Sequence, residues 1–217
     1  MILEIENIPV SNIVYLRRKL LSWGRDNYIN FPWRDEKNQF HALVAEILLQ
    51  RTRAEQVANI YDCFKARFPD PYSLATADIS DIESAILPLG LKWRSRYLKE
   101  MGKKLYELGQ RIPNNLELLK TLPGIGPYAA AAYISFHTNI RASIIDSNVV
   151  RLYGRFFGFE TNSETRRDKK LIKLTEIVTP INNYRDFNYA VLDFSHSICK
   201  IKPVHSLCLI ARKCRTS

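Results

Sequence analysis

Apolar residues recur at three- and four-residue intervals from one end of this chain to the other. No pair of alternating β-branched runs is joined by a hairpin turn, so a substantial sheet is excluded and an all-α fold is expected. Ile13, Leu16, Leu20 and Trp23 form the first stripe, with Arg17, Arg18 and Lys19 between them. Residues 40–50 read as a mostly apolar helix. Thr52-Arg53-Ala54-Glu55 has the form of a capping box opening a helix to about Phe68, and Asp70-Pro71 offers an N-cap followed by a first-turn proline. Ser80-Asp81-Ile82-Glu83 reads as another capping box, with its helix ending near Pro88-Leu89-Gly90. Further helices are predicted over 93–108, 116–121, 128–136, 148–157, 171–178 and 187–199, and 161–170 reads as a solvated basic turn.

The 217 residues hold 32 Lys+Arg against 22 Asp+Glu, a net charge of +10, which favours a polyanionic partner, nucleic acid first. No apolar run reaches the roughly 18–20 residues needed to span a bilayer. The amino terminus, Met1-Ile2-Leu3-Glu4-Ile5-Glu6, carries acids where a secretory leader needs bases, so the default is a cytoplasmic, nucleoid-associated protein without a membrane partner. Three of the four cysteines, Cys199, Cys208 and Cys214, fall in the last twenty residues. A disulfide framework spreads its cysteines, so the clustering points to a metal or cluster site. Cys63 reads as a core thiol, and His41, His137 and His196 as packing or surface residues.

Leu122-Pro123-Gly124-Ile125-Gly126-Pro127-Tyr128 lies between two predicted helices. Its glycines permit positive φ and close backbone approach, and the amides after them open a helix whose positive end favours a phosphate. This is a helix-hairpin-helix element, which grips DNA backbone without reading sequence; a plain tight turn between helices is the alternative. About twenty residues on, Ile144-Ile145-Asp146-Ser147-Asn148-Val149 puts a carboxylate at a helix start, where an N-cap alone would also place it.

That loop followed by an apolar pair, Asp-x-Asn and a helix resembles the helix-hairpin-helix DNA glycosylases of the endonuclease III superfamily. The likeness runs over roughly residues 12–214. Phe31-Pro32-Trp33-Arg34 resembles the Pro-Trp-Arg segment of the adenine and thymine mismatch branches. Ala45-Glu46-Ile47-Leu48-Leu49-Gln50-Arg51-Thr52 resembles their Glu-x-x-Leu-x-x-Thr helix end, and residues 187–194 the helix leading to their iron–sulfur loop. The resemblance implies two helical lobes, 30–141 carrying the hairpin and 1–29 with 142–217 carrying the cluster loop, with Glu46, Tyr128 and Asp146 in a cleft between them.

The implied chemistry suits those positions. A glycosylase must extrude its base from the duplex. Bond cleavage then gives the sugar oxocarbenium character, which a carboxylate at Asp146 can stabilise. By resemblance, Gly124 and Gly126 hold phosphate, Asn148 joins the DNA-binding set, Arg51 fills the gap left by the extruded base and Gln50 contacts the opposite strand. Arg51 can equally be read as a solvated helix-end charge. Trp33, Arg34 and Tyr189 are implied for the base pocket. Glu46, in an apolar run, is expected to be buried with a perturbed pKa unless it faces the surface. Tyr128 stands where bifunctional members carry a lysine, and a phenol cannot form their Schiff base. A monofunctional enzyme, acting as a monomer on mismatched double-stranded DNA, is therefore implied.

Thymine or uracil opposite guanine is the expected substrate. Gly90-Leu91-Lys92-Trp93-Arg94 departs from the Gly-Leu-Gly-Tyr-Tyr common in adenine glycosylases, the chain ends just after Cys214 where those enzymes usually add a reader domain, and residues 186–195 look closer to the thymine mismatch branch. Adenine opposite guanine or oxidised guanine is the alternative, since some adenine glycosylases carry tyrosine at position 128. A non-catalytic helix-hairpin-helix DNA-binding protein is the other. The family's cluster loop reads C-x6-C-x2-C-x5-C, whereas this chain has Cys199-x5-His205-x2-Cys208-x5-Cys214. A Cys3His-ligated [4Fe–4S] cluster is expected, with tetrahedral zinc or an empty loop as alternatives.

Overall fold

The structure, a computed structural model, describes residues 4–216. Met1, Ile2 and Leu3, part of the segment read above for a leader, lie outside the described residues, as does Ser217. Among the described residues there are eleven α-helices, short 3-10 turns and no strand. The helices are α1 (Val10–Asp26), α2 (Gln39–Leu48), α3 (Ala54–Arg67), α4 (Pro71–Thr76), α5 (Ile79–Ile86), α6 (Trp93–Glu107), α7 (Leu116–Lys120), α8 (Pro127–His137), α9 (Ser147–Phe157), α10 (Lys169–Val178) and α11 (Tyr184–Ser197). No described helix is long and apolar enough to cross a membrane. The chain divides into two compact units, Asn30–Ile140 and Met1–Ile29 with Arg141–Ser217.

The inner unit, Asn30–Ile140, is built round α2. Asn38 caps that helix, its side chain accepting from the Phe40 and His41 amides, and every residue from Phe40 to Leu48 is buried. A helix apolar on all sides belongs in a core, and α2 has α3, α6 and α8 against it. At α4, Asp70 and Ser73 form a capping box with Pro71 in the first turn. Gly102 lets α6 approach α4 closely, since a Cβ there would meet the Ala75 nitrogen at 2.9 Å and the Pro71 carbonyl at 3.0 Å.

In the terminal unit, α1 lies along α11, and a Cβ on Gly24 would meet that of Ala190 at 2.7 Å. Two arginines neutralise the carbonyl end of α10. Arg17 donates to Val178 (2.8 Å) and Ile177, and Arg141 to Thr179 (2.7 Å), Pro180 (3.1 Å) and Glu176. The left-handed Gly158 ends α9, with the Gly158 and Phe159 amides both donating to the Gly154 carbonyl.

Three local expectations fail. The N-cap of α3 is Arg53, not Thr52, because the Thr52 hydroxyl is taken up by Arg94 and the Gln50 carbonyl. Ser80 lies inside α5, whose N-cap is Asp78 with no side-chain cap bond. Cys63 is exposed, because Val57, Ile60, Tyr61 and Phe64 form the buried face of α3 and Cys63 falls off that stripe.

Candidate functional site

The hairpin joins α7 to α8. Asn115 caps α7, the Leu122 amide donates to Leu119, and the Ile125 amide donates to Leu122. Ile125 is buried and anchors the turn. The two glycines have different reasons to be there. Gly124 is left-handed, φ +82°, and a Cβ on it would meet Tyr97 Cβ at 3.0 Å and Ile47 Cδ1 at 3.3 Å. Gly126 is the N-cap of α8 at φ −87°, which needs no glycine, so of the two only Gly124 uses the positive φ that glycine permits. A Cβ on Gly126 would meet nothing within 4 Å. Its bareness leaves the positive end of α8 open to a close ligand.

Gln50 and Arg51 follow the end of α2. Gln50 is half-buried, and its Nε2 donates to the Gly124 carbonyl at 2.7 Å, tying this turn to the hairpin. Arg51 is exposed and left-handed, φ +55°. Glu46, in the middle of α2, is 4% exposed, and burial pushes its carboxyl up to about 8. His137 Nε2 stands 3.9 Å from Glu46 Oε1, and both side chains are buried. Tyr128 is half-buried in the first turn of α8. Trp33 is buried, stacked on Phe31 at 4.9 Å and T-shaped against Tyr61, and the buried Arg34 lies 5.4 Å from the Phe31 ring.

Asp146, in the terminal unit, is the N-cap of α9, and each carboxylate oxygen accepts one bond. Oδ1 takes the Val149 amide and Oδ2 takes Asn148 Nδ2, both at 2.7 Å. Asn148 Oδ1 in turn accepts from Arg151 Nη2 (3.0 Å). Arg151 also donates to the carbonyls of Cys199 and Ser195, each at 2.8 Å. The half-buried carboxylate is thus locked in one orientation by a chain of bonds that ends at the first cysteine of the loop. Tyr189, on α11, is buried with its ring edge-on to Tyr28.

Cys199, His205, Cys208 and Cys214 line one cavity of about 170 Å³ together with Leu152, Arg155 and Pro203. Cys199 is buried, Cys208 and Cys214 are half-buried, and His205 is exposed. Burial, reinforced by Cys214 and Cys199 nearby, holds the Cys208 thiol above its ordinary value. Arg155 ties down both ends of the loop. It donates to Lys200 (2.7 Å) and Ile201 (2.9 Å), and its carbonyl accepts from the Arg215 amide (3.2 Å). Among the described residues no three His, Cys, Asp or Glu side chains converge as ligands of a single metal ion. Thiols and an imidazole lining one cavity are donor types that iron–sulfur and zinc sites both use. A larger surface depression, about 530 Å³, lies among residues 38–40, 69–71 and 110–112 and touches none of the candidate site residues.

The family model described as "HhH-GPD superfamily base excision DNA repair protein" matches residues 44–176. The chain belongs to the HhH-GPD superfamily. The matched span takes in Glu46, the hairpin and Asp146 and leaves out the cysteine loop. Over 204 residues the chain is 33% identical to a thymine/uracil-DNA glycosylase of Methanothermobacter thermautotrophicus, covering 93% of this chain and 92% of that one. It is 32% identical over 187 residues to an adenine DNA glycosylase of Buchnera aphidicola subsp. Baizongia pistaciae, covering 85% of this chain and 53% of that one. The solved structure of a thermostable thymine-DNA glycosylase superposes with a TM-score of 0.90 at 31% identity, over 95% of this chain and 96% of that one.

Three residues of this HhH-GPD chain escape the sequence reading. Arg151 orients Asn148, His137 faces Glu46, and Arg94 is buried beneath Gln50 and Arg51. For Arg94 a signal was present. It shares the spacing of Leu98, Met101 and Leu105, so a charge stands on the apolar stripe of α6. His137 had no such mark, because α8 is apolar almost all round.

Proposed function

We propose that this chain is a monofunctional DNA glycosylase that hydrolyses the N-glycosidic bond of thymine or uracil mispaired with guanine. The observation that carries the reading is the Asp146 carboxylate, fixed by Val149 and Asn148 at the start of α9 in a chain of this superfamily. Similarity in sequence and fold to thymine and uracil glycosylases supports the choice of base. The Gly124 and Gly126 amides, at the positive end of α8, take the backbone phosphate, and Arg51 enters the stack as the nucleotide leaves it. As the C1′–N1 bond breaks, its electron pair goes to the pyrimidine and positive charge develops on the sugar. Asp146 stabilises that charge. Glu46, held in its neutral acid form at neutral pH, donates a hydrogen bond to the departing pyrimidine. Water then adds to C1′, and the proton it loses ends on the departed pyrimidine anion, which leaves as the neutral base. Tyr128 offers no amine, so no imine forms and the strand stays intact.

The test is a panel of T·G, U·G, A·G and A·oxidised-G duplexes read with and without alkali. Breaks at T or U, and only after alkali, are expected. Cleavage at A alone moves the enzyme to the adenine branch, breaks without alkali contradict the role given to Tyr128, and tight binding without breaks leaves a DNA-binding protein.

For the cysteine loop, Cys199, Cys208, Cys214 and His205 would hold a [4Fe–4S] cluster, whose contribution is to cross-link the loop. The surrounding Lys200, Lys202, Arg212, Lys213 and Arg215 would then bear on phosphate as a rigid basic lobe. Iron and acid-labile sulfide at about four each per chain are expected in the purified protein. One zinc per chain and no iron would replace the cluster with a tetrahedral site.

A further inference from the structure

Arg94 is the largest fully buried side chain among the described residues. Among the described residues no carboxylate pairs with it, and burial lowers its pKa. A lone guanidinium in a core is costly unless polar groups surround it. Here those groups belong to one short segment. Nη1 donates to the Leu48 carbonyl at 2.8 Å, and Nη2 to the Gln50 carbonyl and the Thr52 hydroxyl. The Trp93 ring lies 5.6 Å from the guanidinium. These acceptors include the carbonyl end of α2, where a cation is favoured. Between them stands Arg51, exposed and in a left-handed conformation that ordinary side chains avoid. The Gln50 side chain continues the series to the Gly124 carbonyl of the hairpin. One buried fork therefore sets the path of the chain on both sides of Arg51 and its register against the phosphate-binding loop.

We propose that Arg94 is a positioning residue for nucleotide extrusion. It holds the 49–52 turn in its strained shape, so that Arg51 meets the duplex as a preorganised wedge and not as a mobile side chain. The inference rests on the glycosylase reading for Arg51. It places the action of Arg94 at base opening, before bond cleavage. A lysine keeps the charge but cannot span three acceptors with a planar fork, so Arg94→Lys isolates the geometry.

The experiment follows extrusion by the fluorescence of 2-aminopurine beside a T·G mismatch, and cleavage by single turnover, in the full-length protein. Arg94→Lys is expected to slow extrusion roughly 10- to 100-fold. Its salt-dependent binding to matched duplex should stay within about twofold of wild type, since the phosphate contacts are untouched. Arg51→Ala should slow extrusion similarly, and the double variant should be no slower than Arg51→Ala alone, because Arg94 acts through Arg51. Thr52→Ala, which removes one acceptor and leaves the core charge in place, should show a smaller loss in the same step and serves if Arg94→Lys does not fold. Wild-type extrusion in Arg94→Lys, or in Thr52→Ala where that variant serves, or additive losses in the double variant, would overturn the proposal, as would a wild-type protein that extrudes no nucleotide. A wild-type protein that opens the mismatch yet cuts no base sinks the glycosylase reading and leaves the role of Arg94 standing.

Discussion

Asp146→Asn should abolish base excision while leaving DNA binding intact. The substitution keeps the shape of the side chain. Its carbonyl oxygen can still accept from the Val149 amide, so the cap of α9 survives and the fold with it. The negative charge is lost, along with the acceptor facing Asn148 Nδ2, where two NH2 groups would now oppose each other. Removing one preorganised electrostatic group from a developing charge costs roughly 10²–10³-fold in rate. Single-turnover cleavage of T·G and U·G duplexes should fall by at least that much. Mismatch affinity in a gel-shift or anisotropy titration should hold or tighten, because one anion fewer faces the phosphates. A variant that cleaves within tenfold of wild type removes Asp146 from the chemistry.

Glu46→Gln should change how stability depends on pH. The Glu46 carboxyl titrates at about 8 in the folded protein, against an ordinary 4.5. Between those values the folded chain retains a proton that the unfolded chain has lost, so stability falls as pH rises through that window. The full shift corresponds to about 5 kcal/mol at pH 9 relative to pH 4. Glutamine is neutral throughout and escapes this loss. The variant should therefore match wild type near pH 5 and melt at a visibly higher temperature near pH 9. Two groups face this carboxyl: His137 from α8, and Tyr61 from α3, whose phenol feels its charge. The wild-type excision rate should also fall above about pH 8 as the hydrogen-bond donor ionises, and that alkaline limb should flatten in the variant. Parallel melting curves for the two proteins from pH 5 to pH 9 would show that Glu46 is not held neutral.

The helical class, most of the eleven helices and the hairpin loop follow from the order of residues alone. These features depend on neighbours three or four positions apart and on the dihedral freedom of glycine, both of which are local. Asp146 at a helix start is legible for the same reason, since an N-cap acts on amides two and three residues on. Where the local rules fail, a distant partner intervenes. Thr52 heads no capping box because an arginine 42 positions away holds its hydroxyl. The same arginine reaches Leu48 across 46 positions, and Arg151 meets Cys199 across 48. The encounter of Glu46 with His137 arises only because α2 and α8 pack together. Cys63 reads as core by residue type and is exposed by its place on α3. The residue pattern thus determined which helices form and which end of each bears chemistry. Packing decided which charges are buried, what each one holds and how far its proton affinity moves, because desolvation and directed hydrogen bonds exist only once helices distant in sequence share a core.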